Sequence, residues 1–312
     1  MELETLFLSE YSPLRRLGQK SINCYSVTLR HFNRHLAKAA NRQPGPARLG
    51  DLSDLTIARF LAERERETCR ATAGRDRCQL LALWRYAARK RYPGDDGQPL
   101  AFPEVPLIRA PSRAVVAHTA LEVATLIRYS LQMNGLSNRT SSPTGGVPEP
   151  LWWSSLLRVL WESGERISAT MSLKWREVDI PGERVLFRAE TRKFGKGDLD
   201  RRISPQTAAW LAQRVGSPTG LVWPWSRNYT LLWRHFQVLC RRAGVPYRGF
   251  HAIRRSTVSY CEAAERGAGQ RAADHESGQT TKRSYLDPRI VDQGPDPIDL
   301  LPPLELGEPP AP

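Results

Sequence analysis

Five prolines fall between Tyr92 and Ala117, in the run YPGDDGQPLAFPEVPLIRAPSRAVVA. Proline fixes φ and lacks a backbone N–H, so this run can hold neither a long helix nor an interior strand. It reads as an extended linker wrapped between two bodies, with boundaries at 1–92, 93–117 and 118–292. A chain of 312 residues is long enough for two domains, each with its own core.

Helical periodicity fills the first body. Ser21–Ala40 places Tyr25, Leu29, Phe32 and Leu36 at helix spacing. Asp51-Leu52-Ser53-Asp54 offers N-caps for Leu55–Arg66, where Ile57, Phe60 and Leu61 share a face. A third helix is expected over about Ala71–Arg91, with Leu80, Leu81, Trp84 and Tyr86–Ala87 as its apolar side. Together these predict a small helical bundle of about four short helices.

Beyond the prolines, Thr119–Leu131 reads as a helix capped by Thr119, and residues 134–150 as a polar loop. Leu151–Ser163, dense in Trp and Leu, must be core. Glu183–Ala189 and Arg201–Ser204 are strand candidates joined by the basic turn Thr191–Asp200, a hairpin with a long tip. Helices follow at Pro205–Val215, Thr230–Ala243 and about Ile253–Arg266. The tail 293–312, rich in Pro, Asp and Leu, reads as disordered, with a possible docking segment around Ile298–Leu301. The expected fold class is mainly α with a small β-hairpin or sheet, an α+β arrangement.

Charge narrows the partner. Lys and Arg number 46 against 32 Asp and Glu, a formal charge of +14 and a pI near 10.0, which favours a polyanion such as nucleic acid. No apolar run is long enough to span a bilayer, and the start MELETLFLSE lacks the basic and apolar regions of a signal peptide, so a cytoplasmic protein is expected. The five cysteines include no C-x-x-C pair and point to neither a disulfide framework nor a zinc site; they read as reduced, mostly buried small apolar residues. His31 and His35, spaced i, i+4 on a helix, show no carboxylate or cysteine partner that would suggest a metal.

A dispersed set of residues suggests chemistry on phosphate: Arg166, His251, Arg254, His275 and Tyr285. A phenol has a pKa near 10, so a nucleophilic Tyr285 needs a base or strong local positive charge. Arg166 and Arg254 carry permanent forked cations suited to a five-coordinate phosphorus. His251 and His275 can exchange protons or hydrogen-bond a non-bridging oxygen near neutral pH. Lys193 or Lys196 on the hairpin tip can protonate a leaving oxygen, and Arg192, Arg201 and Arg202 add charge for binding DNA phosphates.

In order and spacing these residues resemble the tyrosine recombinase (phage-integrase) family from roughly Ser9 to Val291. Glu162–Trp175 (ESGERISATMSLKW) is similar to the first-arginine motif, Thr191–Pro205 to the hairpin lysine region, and His251–Arg254 to the H-x-x-R box. His275 stands at the second His/Trp position and Tyr285 at the nucleophile. The resemblance implies a helical, SAM-like core DNA-binding domain and a catalytic integrase domain that together clamp double-stranded DNA. It implies cutting and rejoining through a 3′-phosphotyrosine, with no metal or other cofactor, by a homotetramer on DNA. Lys193 fits the family's K-x-G pattern and Lys196 is the second choice. Three places depart from the pattern. Ala169 stands where an acidic residue commonly follows the first arginine, Ala273-Asp274 replaces Leu-Gly, and Tyr285 lies ten positions after His275. Competing readings are a DNA-binding descendant with little or no catalysis and a type IB topoisomerase.

Overall fold

The structure, a computed structural model, describes residues 1–41, 43–109, 111, 114–133, 143–192 and 197–291. The chain divides into two compact units, Met1–Ser112 and Arg113–Pro312.

The first unit opens with α1 (Leu3–Leu6), a π-helical turn over Phe7–Tyr11 and α2 (Ser12–Leu14). Three longer helices follow: α3 (Gln19–Ala39), α4 (Asp54–Glu67) and α5 (Arg70–Arg89). Ser53 starts α4 as expected, its hydroxyl accepting the Thr56 N–H at 3.1 Å. Leu29, Phe32, Ile57, Phe60, Leu80, Leu81 and Trp84 share one buried core with Leu3, Leu6 and Phe7. Inside it the fully buried Asp76 carboxylate accepts from Arg64 Nε at 3.0 Å and Thr28 Oγ1 at 2.8 Å.

The proline-rich stretch forms no helix. A tight turn is closed by Gly94 N–H on Gln98 O at 2.8 Å, and Val105 then buries its side chain in the core of the first unit. Glu104 N–H donates to Asp54 at 2.8 Å, which ties this stretch to the start of α4.

Two expectations need correction. The cysteines are unpaired, but only Cys240 is buried, and Cys69 and Cys78 are exposed. The buried stripe of α5 runs through Ala73, Arg77, Leu80, Leu81 and Trp84, and Cys78 lies off it. His35 does have a carboxylate partner: Glu63 on α4 lies 2.5 Å from its Nδ1 and also accepts from Lys38. Hydrogen bonds with Lys38 first and His35 second hold the Glu63 carboxyl down at about 2. Among the described residues no His, Cys, Asp and Glu cluster could hold a metal, and no helix is long and apolar enough to cross a membrane.

The second unit begins with α6 (Ala120–Gln132), held by a reciprocal cap between Thr119 and Glu122. Then come α7 (Glu149–Ser163), the short α8 (Ile167–Thr170) and a three-stranded antiparallel sheet. Its strands are β1 (Val178–Asp179), β2 (Arg184–Phe187) and β3 (Leu199–Arg202), with Val185 opposite Arg201 and Phe187 opposite Leu199. The hairpin was legible, but its second strand ends early because Ser204 is taken as the N-cap of α9 (Pro205–Ala212). The chain closes with α10 (Tyr229–Arg242), α11 (Phe250–Ala264), α12 (Ala268–Ala273) and α13 (Gly278–Ser284). Neither α12 nor α13 is long enough to show a periodic pattern. Most of the polar loop and all of the tail lie outside the described residues.

Trp153 on α7, Phe236 on α10 and Phe250 on α11 stack at the centre of this unit, with Phe236 and Phe250 rings 4.2 Å apart. Trp152, Leu156, Leu160, Phe187 and Trp223 belong to the same buried core.

Candidate active site

Helix α7 ends at Gly164, whose φ of +62° is a left-handed cap. A Cβ there would approach Thr257 Cγ2 to 3.1 Å, so glycine serves both conformation and space. The turn delivers Glu165 to the interior and Arg166 to the N-cap of α8, half-buried with extended backbone. Ala169 is buried in the apolar core, so the acidic group near Arg166 comes from the residue before it. Glu165 is 1% exposed and lies 3.6 Å from Arg166 Nη1 and 3.4 Å from Arg254 Nη1.

His251 and Arg254 stand one turn apart on α11 and so share a face. Arg254 is 1% exposed. It donates to Gly164 O through Nη1 and to Ala273 O through Nη2 at 2.6 Å, joining the Gly164 turn to the end of α12. Its Nε is buried without a hydrogen-bond partner among the described residues. His251 is held down at about 4, first by desolvation and then by Arg255, Arg254 and Arg166. Its side chain keeps accessible surface, and the three guanidinium groups push in the same direction as desolvation. The imidazole is therefore neutral at neutral pH and can accept a proton.

Helix α12 stops at Asp274, in the left-handed region at φ +49°. Aspartate is among the few L-residues that visit this region, which accounts for an acidic side chain at a position suited to glycine. His275 follows, and its Nδ1 lies 2.9 Å from Thr281 Oγ1 on α13.

Tyr285 ends α13 and is 6% exposed, packed with Val258 and Ala273. Its ring makes edge contacts with His275 at 4.4 Å and His251 at 5.1 Å, and Arg254 lies over it at 5.4 Å. The backbone around it is fixed from both sides. Ser259 Oγ donates to Tyr285 O at 3.0 Å and accepts the Asp287 N–H at 2.9 Å. The fully buried Asp287 carboxylate accepts from Ala117 N at 2.7 Å and from Arg289 at 2.6 Å, and these donors, against burial, hold it at about 2.

The hairpin residues take different positions. Arg192 is buried, with Nη2 2.6 Å from Asp274 Oδ2 and 3.8 Å from Glu165 Oε2, and Nη1 donating to Gly197 O. Arg201 donates to Ala272 O at 2.8 Å and Arg271 O at 3.2 Å, capping the end of α12. Arg202 is exposed, with Glu183 at 3.4 Å. Lys193 and Lys196 lie outside the described residues. Sequence reasoning missed Glu165, Ser259, Thr281 and Asp287. Two of them stood within three residues of a recognised group, in Gly164-Glu165-Arg166 and in Tyr285-Leu286-Asp287.

No protein-family model matches the sequence. No curated protein matches it either. Solved structures do. A lambda integrase dimer bound to a COC′ core site matches with a TM-score of 0.66 at 16% identity, covering 92% of this chain and 96% of that one. The XerH site-specific recombinase, in a post-cleavage complex with palindromic difH substrate, gives 0.67 at 16% identity over 88% of this chain and 79% of its own. The Tn1549 transposon integrase in complex with transposon right end DNA gives 0.60 at 11% identity, covering 92% and 95%. All three are tyrosine recombinases, and the likeness extends over both units. With its helical first unit and its α+β second unit, this chain has the tyrosine recombinase fold.

Proposed function

We propose that this chain is a site-specific DNA recombinase that cuts and rejoins double-stranded DNA through a 3′-phosphotyrosine. The observation that carries the reading is the convergence of His251, Arg254 and His275 on the Tyr285 ring, with Arg166 joined to Arg254 through Glu165. Three separate stretches of sequence, at 251–254, 275 and 285, meet at one phenol, and a fourth, at 165–166, is joined to them through Arg254.

In this mechanism Tyr285 Oη attacks the scissile phosphorus and passes its proton to the neutral His251 ring. Arg166, Arg254 and His275 stabilise the charge that gathers on the non-bridging oxygens. The phosphorus–5′-oxygen bond breaks, and Lys193 protonates the departing oxygen, with Lys196 the alternative donor. A 5′-hydroxyl of another strand then attacks the phosphotyrosine and releases Tyr285. Arg202 and the hairpin lysines contribute phosphate contacts, while the described bonds of Arg192 and Arg201 suit bracing. Lambda integrase occurs as a dimer on a core site and as a tetramer on a Holliday junction. A homotetramer on DNA is the assembly we infer for this chain.

A nicked suicide duplex that loses its 5′-hydroxyl strand after cutting tests the reading. A covalent protein–DNA adduct is expected with the native chain and none with Tyr285→Phe. An adduct that persists in Tyr285→Phe overturns the nucleophile, and DNA binding without any adduct favours a binding protein of the same fold.

A further inference from the structure

We infer that Glu165 is a positioning residue that sets the spacing and aim of Arg166 and Arg254, with Arg192 as its buried counter-charge; this rests on the reading just proposed. Glu165 is 1% exposed and meets three guanidinium groups: Arg166 at 3.6 Å, Arg254 at 3.4 Å and Arg192 at 3.8 Å. The work is divided between its oxygens. Oε1 faces Arg166, while Oε2 faces Arg254 and Arg192. Oε1 makes no hydrogen bond among the described residues, so its hold on Arg166 is electrostatic and leaves the donors of that guanidinium available to a ligand.

A buried carboxylate is costly unless cations compensate it, and three clustered cations repel one another unless an anion lies between them. Glu165 meets both conditions at once. The backbone that carries it is held in place, because it follows a left-handed glycine and its N–H donates to Ser163 Oγ at 3.2 Å. Arg192 carries the arrangement further, since Asp274 beside His275 lies 2.6 Å from the same Nη2 that faces Glu165. One chain of charges, buried at Glu165, Arg192 and Arg254 and open to solvent at Asp274, therefore links the Arg166 turn, the base of the hairpin and the His275 turn. The apolar setting of Ala169 is consistent with this: the side of Arg166 that it occupies supplies no charge.

Positioning and simple charge screening predict opposite signs. Glu165→Gln keeps the shape and adds one net positive charge to a site for phosphate. If Glu165 only screened the arginines, that variant would bind duplex more tightly and cut at least as fast. As a positioning residue its loss slows cutting while the duplex Kd holds or tightens. The expected loss is about 10–100-fold in the single-turnover rate at saturating suicide duplex, the range for groups that orient a reacting group through another. Glu165→Asp retains the charge and recovers part of that rate. A Glu165→Gln rate equal to or above native overturns the inference and leaves the proposed function standing.

A second measurement does not depend on cutting. If Glu165 and Arg254 act as a pair, the Tm losses of Glu165→Gln and Arg254→Gln are not additive in the double variant. Additive losses overturn the inference. If the native chain forms no adduct, the proposed function falls, and the thermal cycle alone decides the inference. Should Glu165→Gln fail to fold, Glu165→Asp carries the kinetic test: slower cutting at unchanged Kd is expected, and a native rate overturns the assignment.

Discussion

At the scale of single residues, the second unit is built on side chains whose protonation the fold dictates. His118 has no exposed surface, and its Nδ1 faces Arg248 Nη1 at 3.1 Å. Desolvation first and Arg248 second lower it to about 4, with Glu122 opposing. Its folded pKa lies below the unfolded 6.5, so between those values the unfolded chain binds more protons. Stability linked to His118 is therefore present above about pH 6.5 and is lost as pH falls through about 4. The loss is on the order of 3 kcal/mol. Urea midpoints across this window should fall for the native chain and fall less for His118→Asn. Equal slopes would show that other groups carry the acid sensitivity. His251 is lowered in the same direction, but its side chain is exposed, so solvent screening leaves it a minor share of the same limb.

At the scale of elements, the site depends on how helices end. Helix α7 ends in a left-handed glycine, and α12 ends in a left-handed aspartate. Gly164 brings its carbonyl to Arg254, and Asp274 brings its carboxylate to Arg192. Gly164→Ala introduces a Cβ 3.1 Å from Thr257 and forces an L-residue to φ +62°. The conformational part alone costs about 1–2 kcal/mol. Its urea midpoint should drop accordingly, and its adduct formation should slow more than that of an exposed helix variant of equal stability. An unchanged midpoint would mean that the turn relaxes without cost. The bundle and the hairpin were legible because their periods run for several turns or strands. Helices α12 and α13 were not, because elements of six and seven residues are held by tertiary contacts rather than by a repeating apolar face.

At the scale of the whole molecule, two units with separate cores carry a formal charge of +14. Buried arginines account for part of this charge without being available to a partner: Arg64 and Arg192 each face a carboxylate. The exposed remainder should bind duplex DNA with counterion release. A protein neutralising six to ten phosphates loses about 10³–10⁵ in affinity between 50 and 200 mM salt. A titration of duplex binding against salt should give a loss in that range. A flat dependence would separate the basic composition from any role on nucleic acid.

The sequence by itself determined the helical bundle and the hairpin, and it singled out the candidate site residues, with Tyr285 the phenol among them. Those signals are local, carried by apolar period, caps and spacing. Only the tertiary structure decided what each charge does. Arg192 looked like a contact for DNA, yet its guanidinium lies buried between Asp274 and Glu165. Glu165 drew no role from the sequence, yet it stands among three arginines. Burial and pairing depend on residues distant in the chain, and the left-handed ends of α7 and α12 bring those residues within reach.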